Sequence, residues 1–94
     1  MRFKDPDLEA FWRDPVHHAS TRVPTKVQKA LYRKLQMLDA AHVLEDLRVP
    51  PGNHLEKLKG GRAGQYSIRA NLQWRLCFRW EQGEAREVEF CDYH

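Results

Sequence analysis

Lys59, Arg75, Tyr93 and His94 are the residues of this 94-residue sequence whose types could together cut a phosphodiester without a metal. Cleaving RNA requires three services. The attacking 2′-hydroxyl must lose a proton, the phosphorane needs its charge stabilised, and the leaving oxygen must be protonated. Arginine stays charged and offers a fork of donors that matches phosphate. Histidine titrates near neutrality, and a positioned tyrosine or desolvated lysine can also transfer protons. Asp92 adds a carboxylate beside Tyr93 and His94. An exposed tyrosine at 93 could also stack on a base. Neither a metal nor a cofactor is called for.

The elements that must position these groups follow from period-two alternation. Gln65 to Ala70 reads as a strand with Tyr66, Ile68 and Ala70 on one side and Ser67 and Arg69 on the other. Gln73 to Trp80 reads as another, with Trp74, Leu76, Phe78 and Trp80 inward and Arg75, Cys77 and Arg79 outward. Leu55–Leu58 and Glu84–Phe90 complete four strand candidates. A three-residue loop Glu81-Gln82-Gly83 predicts a hairpin in which Trp80 faces Glu84, Leu76 faces Val88 and Trp74 faces Phe90. Arg75 then faces Glu89 and Cys77 faces Glu87, while Cys77 and Cys91 stand four positions apart, roughly 13 Å at strand rise.

This register gathers Arg69, Arg75, Arg79 and Tyr93 on the face away from the helices, with Asp92 and His94 at the strand end. Polar residues on such a face are ordinary, and on composition alone solvation is the simpler reading. The kinds of residue shift the balance toward a phosphate-binding surface, with Lys57, Arg62, Arg69 and Arg79 as RNA-binding candidates around the reacting set. The turn Lys59-Gly60-Gly61-Arg62-Ala63-Gly64 is too short and wrongly spaced for a nucleotide-binding P-loop. It reads as a flexible basic turn beside the site.

Upstream, Phe3 suggests a short opening strand, and Asp5-Pro6-Asp7 has the chemistry of a helix start. Leu8, Phe11 and Trp12 share one face of that helix. Residues 14–22 read as a loop, and Pro24 opens a longer helix with Val27, Leu31, Leu35 and Leu38 as its core stripe. Val43–Leu47 suggests a further helical turn, and Pro50-Pro51-Gly52-Asn53 breaks the pattern.

Ninety-four residues make one domain, 1–94, with a single modest core. A net charge of +3 and a pI near 9.1 permit a nucleic-acid partner without demanding one. No apolar run approaches the roughly 20 residues of a membrane span. Met1-Arg2-Phe3-Lys4-Asp5 has no apolar signal core, so a cytoplasmic location is expected. Cys77 and Cys91 lack metal-site spacing, and His17-His18 reads as a solvated pair rather than a ligand set.

Four ordered motifs carry a resemblance. Leu58-Lys59-Gly60, Gly64-Gln65-Tyr66-Ser67-Ile68-Arg69, Trp74-Arg75-Leu76-Cys77-Phe78 and Asp92-Tyr93-His94 are similar to those of HigB-type toxins in the RelE/ParE superfamily. The likeness extends upstream through Leu44–Asn53 and the lysine-rich second helix, and is weakest over residues 1–22. It implies an α+β, RelE-like fold, two N-terminal helices on a small twisted, mostly antiparallel sheet. It further implies ribosome-dependent cleavage of messenger RNA, restrained by a HigA-type helix-turn-helix antitoxin. The implied active-site positions are Lys59, Arg75, Asp92, Tyr93 and His94. Some members carry histidine where this sequence has Glu56, so Glu56 is either a proton acceptor or a charged rim residue pairing with Lys57. The ParE branch offers a competing reading, a toxin that acts on DNA gyrase without cutting nucleic acid. A third is a catalytically weakened toxin that survives as an antitoxin-binding regulator.

Overall fold

The computed structural model describes residues 1–18, 25–71 and 73–91, together with the backbone of Asp92. Helix α1 spans Pro6–Arg13 and α2 spans Thr25–Ala40. Strands β1 (Glu56–Lys57), β2 (Tyr66–Arg69), β3 (Trp74–Glu81) and β4 (Glu84–Asp92) form one sheet in the order β1-β2-β3-β4, each neighbouring pair antiparallel. Phe3 makes a single parallel bridge to Val88, so the N-terminal segment lies along the free edge of β4. The expected α+β architecture is the one observed. Pro24, expected to open the second helix, and Leu72 lie outside the described residues.

Asp5 starts α1 as its chemistry dictates, its Oδ1 accepting from the backbone N–H groups of Asp7 at 3.0 Å and Leu8 at 3.2 Å. Leu8 and Phe11 are buried from α1, and Val27, Leu31, Leu35 and Leu38 from α2. These side chains meet Ile68, Leu76, Phe78, Ala85, Val88 and Phe90 of the sheet in one core. Tyr32 ties the helices together, with its ring 5.1 Å from Trp12 and edge-on to Phe11 at 6.0 Å.

The β3–β4 hairpin departs from the predicted register. Glu81 pairs with Glu84, leaving a two-residue turn in which Gln82 and Gly83 both have positive φ, 52° and 76°. That is the geometry whose twist suits a tight hairpin. Trp80 therefore faces Ala85 rather than Glu84. Farther along, Arg79 pairs with Arg86 but Cys77 pairs with Glu89, so β4 carries one extra residue. Glu87, at φ 51°, takes the left-handed conformation of a bulge. The reason lies in the core: Ala85 and Val88 are three apart and both fully buried, which strict alternation forbids. After the bulge Leu76 faces Phe90, Arg75 faces Cys91 and Trp74 faces Asp92.

Between helices and sheet the chain makes two short 3-10 turns, Leu44–Arg48 and Pro51–Asn53. Asn53 is buried and holds them together. Its Nδ2 donates to the carbonyls of Leu47 at 3.1 Å and Val49 at 3.4 Å, and its Oδ1 accepts from Lys34 Nζ at 2.6 Å. Lys34 is thus engaged by the fold, and burial, with Arg33 nearby, holds its pKa below the usual lysine range. Asn53→Ala leaves both carbonyls and the ammonium without this partner. It is expected to cost about 1–3 kcal/mol, read as a lower urea midpoint at unchanged slope.

Candidate active site

The sheet face away from the helices is not fully open. After β1, Leu58 turns inward and its backbone N–H donates to the Gln65 carbonyl at 2.9 Å. The segment between them folds as a 3-10 turn over Gly60–Arg62. Leu58 packs on Cys77 and Cys91, all three buried in a small cluster of their own. The predicted separation of the cysteines is therefore wrong. The bulge moves Cys91 to within two pairing positions of Cys77, and the two thiols interact. Hydrogen bonding to Cys91, then burial, pushes the Cys77 thiol far above its ordinary pKa. A protonated, enclosed thiol is a poor nucleophile. Cys77 is expected to resist an aromatic disulfide reagent in the native protein and to react promptly in denaturant, as a thiol titration would record.

Above this cluster, Arg62 Nη1 donates to Gln65 Oε1 at 3.1 Å and to Glu89 Oε2 at 3.3 Å. Lys4 Nζ also lies 3.5 Å from Glu89. The bond to Glu89 raises the Arg62 pKa further, so its charge is permanent. Arg79 lies at the hairpin end, its Nε 2.8 Å from Glu87. Its Nη1 stands only 2.8 Å from where a side chain on Gly64 would begin, and Gly64 has φ 89°, so only glycine suits this crossing.

Arg75 was expected on an exposed face. It is only 4% exposed. Its Nε donates to Ser67 Oγ at 2.8 Å and its Nη2 to the His54 carbonyl at 2.5 Å, with the Ser67 carbonyl at 3.5 Å. The Glu56 carboxylate is 3.9 Å from the same Nη2. β2 and β1 close over the guanidinium because Ser67 pairs with Cys77 on one side and Glu56 on the other. His54 reaches it from a left-handed backbone, φ 45°, at the end of the Pro51–Asn53 turn.

Next to this buried arginine, Glu56, Lys57, Leu58, Lys59 and Arg62 line a cleft of about 360 Å³. Lys57 and Lys59 are exposed. Arg69 is half-buried and faces Arg75 across the β2–β3 ladder. The structure thus brings Lys57, Lys59 and Arg62 to one cleft, joins it to Arg75 through Glu56, and leaves Arg79 with Glu87. Asp92 ends β4 opposite Trp74, while its side chain, Tyr93 and His94 lie outside the described residues. Sequence reasoning missed Ser67 and the His54 carbonyl as partners of Arg75. The signal for Ser67 was present in its parity with Arg69. Another cleft of about 410 Å³, between α1 and α2, is lined by Phe11, Pro15, Gln28, Lys29, Tyr32, Arg33 and Gln36, none of them a candidate site residue.

Among solved structures, the YoeB–YefM complex from Staphylococcus aureus contains a chain that superposes with a TM-score of 0.61. The match covers 99% of this chain and 93% of that one at 22% identity, a likeness of fold. The RelE-like toxin of type II toxin-antitoxin systems, HigB, is the family whose model matches residues 1–94. Toxin HigB-1 of Vibrio cholerae is 47% identical over 85 residues, covering 90% of this chain and 87% of the relative. Endoribonuclease HigB of Proteus vulgaris is 32% identical over 92 residues, covering 98% and 96%. The chain belongs to the HigB-like toxin family. As a type II toxin it has an antitoxin partner. No helix among the described residues is long and apolar enough to cross a membrane.

Proposed function

We propose that this toxin, an endoribonuclease by its kinship, cuts messenger RNA engaged on the ribosome, in the cytoplasm, under the restraint of a HigA-type helix-turn-helix antitoxin. One observation carries the reading: a buried guanidinium, gripped at Nε and Nη2, stands 3.9 Å from Glu56, a carboxylate that lines a lysine-rich cleft. A charge held this way away from bulk water acts more strongly on a nearby anion than one in solvent, and needs no reorganisation during reaction. Arg75 stabilises the phosphorane. Lys59, with Lys57 and Arg62 on the same cleft, draws the phosphate backbone in. Tyr93 and His94, with Asp92 beside them, transfer the protons, and no metal is required by this set. Arg69 and Arg79 extend the positive surface along the RNA.

Such a surface releases counterions on binding, so ribosome association should weaken steeply with salt. Co-sedimentation with ribosomes is expected to fall by an order of magnitude or more between about 50 and 200 mM salt. Association that stays constant across that range would count against a phosphate-facing cleft.

A further inference from the structure

The proposed chemistry leaves Ser67 unused, although it is a fully buried hydroxyl in direct contact with the central arginine. A serine in mid-strand, 0% exposed and flanked by the core residue Ile68, is a poor choice for packing alone. Its hydroxyl oxygen lies 2.8 Å from Arg75 Nε, and its carbonyl lies 3.5 Å from Nη2. The His54 carbonyl takes Nη2 from another direction. A planar group anchored at Nε and at Nη2 cannot rotate about its own stem. Glu56, 3.9 Å away and half-exposed, contributes charge with much looser geometry.

We propose that Ser67 is a positioning residue for the ribonuclease reaction, fixing the plane of the Arg75 guanidinium through its hydroxyl. This rests on the reading that Arg75 stabilises the phosphorane. Ser67 does not touch the RNA. It makes the difference between an arginine that is present and one that is aimed. A misplacement of about 1 Å at a reacting group can cost about 10²-fold in rate. Losing the hydroxyl should therefore slow cleavage and leave ribosome binding largely alone.

The test compares Ser67→Thr with Ser67→Val, which add the same bulk and differ only in the hydroxyl, with Ser67→Ala alongside to add no bulk at all. Cleavage of a labelled message is followed in a purified translation reaction as the rate at saturating ribosomes and the half-saturating ribosome concentration. The Val and Ala variants are expected to cleave about 10–10²-fold more slowly than the Thr variant, with half-saturation within about twofold. In an Arg75→Lys background the Thr–Val difference should vanish, since lysine has no Nε–H to receive. Equal rates for Thr and Val, with Arg75→Ala inactive, would overturn the role of Ser67 while sparing Arg75. A difference that persists undiminished in the Arg75→Lys background would also overturn it, because Ser67 would then act by another route. Full activity of Arg75→Ala would remove the reading beneath the proposal.

Discussion

Arg75→Ala is expected to lower messenger RNA cleavage by about 10²–10³-fold, the typical cost of deleting a preorganised donor to a developing oxyanion. The variant also leaves the buried Ser67 hydroxyl and the His54 carbonyl without their donor, so some loss of stability will accompany it. Arg75→Lys separates the two effects. Lysine keeps the charge but has neither the Nε–H nor the planar fork, so the geometry of the site is lost while the positive charge stays. Its rate should fall nearly as far as that of alanine at a smaller cost in urea midpoint. Comparing cleavage rate with urea midpoint for both variants checks this. Full activity of either at equal folded concentration would remove Arg75 from the mechanism.

The largest effect on stability is expected at Phe78. It is fully buried at the centre of β3, faces Tyr66 across the β2–β3 ladder, and its ring lies 6.2 Å from that of Tyr66. Phe78→Ala should cost about 3–5 kcal/mol through lost burial and the cavity left behind. That is a large share of the roughly 5–15 kcal/mol that holds a domain folded. Trp74→Ala should cost less. Trp74 stacks on Phe90 with ring centres 4.6 Å apart, yet it is only partly buried. Urea melts of both variants would show the order, and a larger loss at Trp74 would contradict it.

Parity along the strands places Trp74 and Phe78 on the same inward face, but it cannot rank them. Depth in the core depends on the helices above and on the strands to either side. The same limit explains the hairpin. Sequence alternation identified the buried face of β4 only if one residue was skipped, and the three-residue spacing of Ala85 and Val88 is the trace of that bulge. With a regular ladder assumed, Arg75 was set against Glu89 and the cysteines were set far apart. The helices were easier, because Asp5 caps locally and the Val27–Leu38 stripe needs only a period.

The candidate site was legible in its residue types and less so in its depth. Arg75 was correctly placed on the face away from the helices. What alternation could not show is the return of Leu58 and the Gly60–Arg62 turn over that face. Nor could it show that His54 turns its carbonyl toward the guanidinium, since a left-handed histidine has no strand or helix period. Lys57, Lys59 and Arg62 are neighbours in sequence, and their shared cleft follows from one tight turn.

Ribosome-dependent cleavage can be read from a 5′-labelled messenger RNA incubated with the purified toxin, with and without ribosomes, in a reconstituted translation reaction. Discrete fragments are expected only when ribosomes and wild-type toxin are both present. Arg75→Lys and His94→Gln should each leave the message largely intact while still sedimenting with ribosomes. Intact message with folded wild-type toxin, or cleavage by both variants at the wild-type rate, would contradict it.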